Sequence, residues 1–212
     1  MSLTVSASAP SIEPIPEGTY LAVCCSLVDL GMQYNERFNN TQRKVLIEWE
    51  LPELTYENKE GVTKTRRCNN RYTASLNDRG NLRRDLAAWR GRDFTEAELE
   101  EFNLCNIVGK SCLINIVHTT GKNGNTYANI SGIVALPKSM QPGKLSEPPV
   151  VIDLDNCSLD DVDNLPNRIG DQIRKSLTYQ DMLKKDQEID QALAEPKQAT
   201  LSDLEDDGDL PF

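Results

Sequence analysis

The strongest constraint on the fold is a change of hydrophobic period along the first 136 residues. After Glu17-Gly18, the residues Leu21, Val23, Cys25 and Leu27 alternate with Tyr20, Ala22, Cys24 and Ser26, the two-residue period of a strand. A polar loop is expected from Gly31 to Gln42. Between Arg43 and Leu51, the residues Val45, Ile47, Trp49 and Leu51 share one face and Lys44, Glu48 and Glu50 the other; Pro52 should end that run. Thr55–Gly61 reads as a turn, and a third strand is expected over about Val62–Ser75. The period then changes. Leu82, Leu86 and Trp89 have the i, i+4, i+7 spacing of a helix, with Gly91 as its C-terminal cap. Thr95 and Glu98 form a capping-box signature for a short second helix through Phe102. Two more strands, Cys112–Thr119 and Thr126–Leu136, are joined by a hairpin turn over Gly121–Asn125.

Three strands, a helical segment and two strands in about 120 residues is the order of an OB-fold. The expected class is therefore all-β with a helical insertion, a five-stranded closed barrel. A sandwich of short strands is the alternative, because alternation alone does not separate the two. Pro137, Pro142, Pro148 and Pro149 mark a linker beyond the barrel. Val150–Leu154 can add a short strand, and Ile169, Ile173 and Leu177 have helical spacing. Pro196–Phe212 has too little apolar content to fold alone. The expected organisation is a flexible arm (1–15), the OB-fold domain (16–137), a linker with an acidic, partly helical segment (138–195), and a disordered acidic tail (196–212).

The net charge of −10 is distributed unevenly. Residues 1–143 hold 16 basic and 16 acidic side chains, whereas residues 144–212 hold 7 and 17. A neutral body thus carries an acidic tail. No apolar run is long enough for a membrane helix, and the Ser/Ala/Pro-rich N-terminus lacks the charge and apolar core of a secretory signal. None of the six cysteines has C-x-x-C spacing, so reduced, mostly buried thiols in a cytoplasmic protein are expected, with no metal or cofactor.

Two windows contain no acid. Gly61–Asn77 carries Lys64, Arg66, Arg67 and Arg71, and Phe102–Ser146 carries Lys110, Lys122, Lys138 and Lys144. Positive charge confined to particular strands can line a phosphate-binding groove while the average charge stays near zero. Aromatic residues are interleaved: Tyr72 follows Arg71, Tyr127 lies across the hairpin from His118 and Lys122, Trp49 is on the second strand, and Tyr34 and Phe38 are in the polar loop. Bases of single-stranded nucleic acid stack on such rings while Lys and Arg track the backbone. The candidate nucleic-acid contacts are Arg43, Lys44, Trp49, Lys64, Arg66, Arg67, Arg71, Tyr72, Lys110, His118, Lys122 and Tyr127. Some have plainer readings. Trp49 shares its face with Val45 and Ile47, which favours the core, and Trp89 belongs to the helical stripe. Tyr72 and Tyr127 suit packing as well as stacking, and the arginines suit a solvated face. His118 has no partner at ligand spacing and reads as a surface or groove histidine.

The chain closes on Leu204-Glu205-Asp206-Asp207-Gly208-Asp209-Leu210-Pro211-Phe212, two apolar side chains on an acidic stalk. That ending resembles the acidic tip of bacterial single-stranded-DNA-binding proteins. The stretches Gly109–His118 and Thr126–Ile130 are similar to the OB-fold single-strand binders of tailed bacteriophages. The resemblance implies non-sequence-specific binding of single-stranded DNA in replication, recombination and repair. It also implies that Asp206, Asp207, Asp209, Leu210, Pro211 and Phe212 recruit partner proteins. Gly208 interrupts the acidic run, and the segment before the tip departs from the Gly/Gln-rich bacterial linker. A strand-annealing recombination protein, or an acidic DNA mimic that occupies a host protein's DNA site, are the alternatives.

Enzymatic motifs are incomplete. Gly109-Lys110-Ser111 ends like a phosphate-binding loop, but Leu104 stands where its first glycine belongs. Asp153-Leu154-Asp155 begins like a calcium loop, yet Ser158 and Asn164 replace its glycine and glutamate. The acids lie mostly outside the candidate binding strands, which argues against a metal-dependent nuclease. A non-enzymatic protein is expected.

Overall fold

The computed structural model describes residues 13–194. Six strands form one sheet: β1 (Gly18–Asn35), β2 (Asn40–Glu57), β3 (Thr63–Thr73), β4 (Ser111–Thr120), β5 (Thr126–Ala135) and β6 (Val150–Ile152). The order is β3-β2-β1-β4-β5, all antiparallel, and β6 pairs parallel with β1 through Ser26–Val28. Helices α1 (Asn81–Arg90) and α2 (Glu96–Glu100) and a 3₁₀ turn (Leu104–Ile107) lie between β3 and β4. The fold is mainly β with a helical insertion, as the change of period predicts. The sheet is not closed: β3 and β5 come within 8 Å, but no ladder joins them among the described residues.

Local signals account for most of the inner side. Leu82, Leu86 and Trp89 are the buried residues of α1, and Gly91 ends it at φ 69°. Thr95 and Glu98 form the reciprocal capping box of α2, which stops at Glu100, short of Phe102. Trp49 and Trp89 meet at 5.8 Å between ring centroids, and the Trp89 indole N–H donates to the Ser111 carbonyl at 3.0 Å. Ala22, Cys24, Val45, Ile47, Leu51, Ile114 and Ile116 complete this core.

Strand boundaries differ from expectation in two places. Gly31–Asn35 and Asn40–Gln42 are strand rather than loop, so β1 and β2 form a long hairpin that turns tightly at residues 36–39. This end projects past the core, where no apolar alternation is required, and Asn39 takes the left-handed turn conformation at φ 46°. Pro52 does not end β2. A register shift between Leu51 and Thr55 takes the proline out of the ladder, and pairing with β3 resumes to Glu57.

The outer side is the larger difference. Ala22–Gly31 is buried without interruption, and Glu50 is fully buried where a solvated face is expected. The cover comes from the C-terminal segment: β6, α3 (Leu159–Asp163), α4 (Asn167–Arg174) and α5 (Leu177–Ala194). Leu154, Val162, Ile173 and Tyr179 pack on Val28, Leu30 and Leu46 to make a second core. What reads as linker and appendage is thus a layer on the sheet. At Gly31, φ is 72° and a Cβ would meet the Ser176 hydroxyl at 2.6 Å, so only glycine lets this layer approach β1 so closely. No helix among the described residues is long and apolar enough to cross a membrane.

Candidate nucleic-acid interface

The side chains of Lys44, Leu46, Glu48 and Glu50 on β2 stand opposite Thr73, Arg71, Asn69 and Arg67 on β3. This pair of rows is the outward face of the β2–β3 hairpin. At one end a cleft of about 720 Å³ opens between the β1–β2 turn, the end of β3 and the start of α1. Arg37, Lys44, Arg71 and Arg79 line it, with Glu36 as the only acid. None of these four cations makes an ion pair among the described residues. Neutral groups orient Lys44 and Arg71 instead. Lys44 Nζ donates to Thr73 Oγ1 at 2.6 Å and to Gln42 Oε1 at 2.9 Å, and Arg71 Nε donates to Gln172 Oε1 at 3.1 Å. Gln172 also accepts through its backbone carbonyl from Gln33 Nε2 at 3.0 Å, which ties α4 to the cleft wall.

Tyr34 lines the cleft, and Phe38 stands next to its lining residue Arg37. Tyr34 is 57% and Phe38 66% exposed. The Arg37 guanidinium lies over the Phe38 ring at 5.4 Å, and Tyr34 Oη donates to Asn39 Oδ1 at 2.7 Å. Tyr72 is buried at the floor and donates to Asp85 Oδ2 at 2.9 Å. Burial, with the Asp85 carboxylate beside it, pushes the phenol well above its ordinary pKa, so Tyr72 stays neutral. Exposed planar rings beside uncompensated cations can hold stacked bases and their phosphates together.

Other candidates from the sequence are placed differently. Trp49 is fully buried in the inner core and Tyr72 is 3% exposed, so neither is a stacking platform; packing claims both rings. Arg43 is held by Asp29, by Asp155 at 2.7 Å and by Asp153 at 3.8 Å, and the hydrogen bond with Asp29 raises its pKa further. That charge is spent on tying the second layer to the sheet. The acid-free window on β3 is compensated from elsewhere in the chain: Arg67 meets Glu147 at 2.7 Å, Glu50 at 3.7 Å and Glu48 at 3.9 Å, and Lys64 meets Glu147 at 3.8 Å. Arg66 donates to the Glu13 carbonyl at 2.8 Å and lies over the Tyr56 ring at 5.0 Å.

His118 is half-buried, with Nε2 at 2.8 Å from the Ile15 carbonyl and its backbone N–H donating to Glu17 Oε1 at 2.7 Å. It anchors the segment before β1 rather than lining a groove. Lys122 and Tyr127 are exposed at the β4–β5 hairpin, where the Tyr127 hydroxyl accepts from Asn123 Nδ2 at 2.8 Å. Lys110 is exposed beside a separate apolar pocket of about 420 Å³ that includes Trp89, Phe102 and Ile107. The tip residues Asp206, Asp207, Asp209, Leu210, Pro211 and Phe212 lie outside the described residues.

The cleft therefore takes Lys44, Arg71 and the buried Tyr72 from the sequence candidates and adds Arg37, Arg79 and Gln172. Arg79 is masked in sequence by its neighbour Asp78, whose carboxylate pairs with Arg83 instead. Arg37-Phe38 at a hairpin tip is the signal that could have been read. Among the described residues no group of three or more His, Cys, Asp or Glu side chains is placed to hold a metal. Compared with known proteins, the chain matches no family model and no curated protein.

Proposed function

We propose that the protein binds single-stranded DNA without sequence preference, through the cleft at the β1–β2 turn and the β2–β3 face. One observation carries this reading: four cations without ion-pair partners among the described residues, Arg37, Lys44, Arg71 and Arg79, line one cleft with the exposed ring of Tyr34, and Arg37 also lies over the exposed ring of Phe38. Phosphates neutralised there release condensed counterions, and stacking on rings is tolerant of sequence. The strand order, with its helix between β3 and β4, supports reading the sheet as a partly open OB-fold, whose second and third strands and first loop are the usual oligonucleotide surface. Lys122 and Tyr127, at the loop joining the last two barrel strands, fit a continuation of that surface. On this reading the protein serves DNA replication, recombination and repair, and the acidic tip recruits partner proteins.

The test is fluorescence anisotropy of labelled oligo-dT, oligo-dA and duplex at two salt concentrations, because both tryptophans are buried and report poorly on a surface event. The expected result is salt-sensitive binding of both single strands over duplex. Arg71→Ala/Arg79→Ala should weaken all single strands alike and lower the salt slope by about 0.7 per cation removed. Equal binding by the double variant would place the interface elsewhere. No binding by the wild type would discard the reading and favour a DNA mimic.

A further inference from the structure

We propose that Lys64 and Arg67, with Arg66 lining the same cleft, form a second phosphate site at the far end of the β2–β3 hairpin, occupied in the free protein by the Glu147 carboxylate. The inference rests on the reading of the β2–β3 face as a single-stranded-DNA surface. Arg67 and Arg71 alternate with Asn69 on one side of β3, opposite Glu50, Glu48 and Leu46 of β2. Four strand residues separate them by about 13 Å, so a bound strand that reaches Arg71 also reaches Arg67. Around Arg67 a cleft of about 690 Å³ is lined by Tyr56, Lys64, Arg66, Ser146 and Glu147.

Glu147 enters this cleft as a phosphate oxygen pair would. One carboxylate oxygen accepts from Arg67 Nη2 at 2.7 Å and the other faces Lys64 Nζ at 3.8 Å. The backbone that carries it is fixed at both ends. Gly143 is wedged so closely that a Cβ would meet Val23 Cγ2 at 2.6 Å, and its N–H donates to Ser111 Oγ at 3.1 Å. The Ser146 N–H and hydroxyl donate to the buried Glu50 carboxylate at 2.9 and 3.0 Å. Pro148 and Pro149 then lead into β6. Only the Glu147 side chain, 56% exposed, has to turn away for a phosphate to enter.

Charge favours that exchange once DNA is held at Arg71. Glu147 is the ion-pair partner of Lys64 and one of three carboxylates, with Glu48 and Glu50, that face Arg67. Rotation of Glu147 into solvent leaves Lys64 without an ion-pair partner among the described residues and frees Arg67 Nη2 from its shortest carboxylate contact. An exposed carboxylate pair is a weak contact, and a phosphate tethered to an already bound strand competes at high effective concentration.

Glu147→Gln tests this in the full chain, with oligo-dT long enough to span both clefts. Binding should tighten about two- to fivefold at low salt. The salt slope should steepen by about 0.7, because the incoming phosphate then displaces counterions rather than an internal carboxylate. Thermal unfolding of the variant should match the wild type, and adding Lys64→Gln should reverse most of the gain. Asp160→Asn on α3 removes an equal charge away from the cleft and should change affinity less than Glu147→Gln does. Binding by the wild type with no gain in Glu147→Gln, or an equal gain in Asp160→Asn, overturns this inference alone. Absence of binding by both wild type and Glu147→Gln overturns it together with the proposed function.

Discussion

On β2 the inner row Val45, Ile47, Trp49 and Leu51 packs against α1 and the neighbouring strands, whereas the outer row runs from Lys44 in the open cleft to Leu46 and Glu50, which residues 143–183 cover. Both rows belong to one strand with one alternation. The inner row is uniformly apolar, because all of it is buried in the inner core. The outer row is mixed, because it meets a helix at Leu46, a strap at Glu50 and open cleft at Lys44. A strand's polar face is therefore free to be core, ion-pair socket or binding surface, and its partners decide which.

The sharpest way to break this contrast is to empty each side in turn. Trp49→Ala should cost about 3–5 kcal/mol of stability in denaturant unfolding. Ile173→Ala, which empties the second core, should cost about 2–4 kcal/mol and keep a single transition by near- and far-UV circular dichroism. Two separate transitions would show that the outer layer unfolds independently of the sheet. Removing an exposed ring at the open end should act on binding alone. Phe38→Ala should weaken oligo-dT binding by about 1–3 kcal/mol while leaving stability within about 0.5 kcal/mol of wild type. Unchanged affinity would remove Phe38 from the interface.

A pH effect concerns buried thiols, Cys24 and Cys68 in the inner core and Cys25 beside Glu48. Burial pushes Cys24 and Cys68 up to about 12, and Cys25, beside Glu48, likewise to about 12. A thiol pKa raised on folding contributes stability that is complete below the unfolded value, near 9, and lost as pH rises through the folded one. The denaturation midpoint should be flat from about pH 7 to 8.5 and then fall, by at most about 1.4 kcal/mol per pH unit for each thiol. A midpoint constant to pH 10.5 would mean that these thiols ionise in the folded protein.

Legibility in the sequence follows the same division. The stripe of α1, its Gly91 cap, the Thr95–Glu98 box and the turn at 121–125 are local, and each is readable from residues within one or two turns of each other. The open ladder between β3 and β5, the burial of Glu50 and the neutralisation of Arg67 depend on pairings up to about a hundred positions apart, which no local period encodes. The acid-free window on β3 looked uncompensated only because its carboxylate, Glu147, arrives from far downstream. Arg43 stands in sequence as a basic-strand residue because Asp29 lies across a hairpin from it and Asp155 lies 112 positions downstream. The cleft is half legible: Lys44 and Arg71 are among the sequence candidates, whereas Arg79 adjoins Asp78, which pairs with Arg83 in the fold.

The parallel pairing of β6 with β1 also sets a timetable. Ser26 waits for Val150, so during synthesis at about 5–20 residues per second the outer edge of β1 stays without its partner for roughly 6–25 s. Throughout that interval Val28, Leu30 and Leu46 form an apolar patch on a nascent sheet whose other side can already collapse. The ribosome-bound chain is thus a sheet covered on one side only, and its apolar outer patch persists from completion of β5 to emergence of α4.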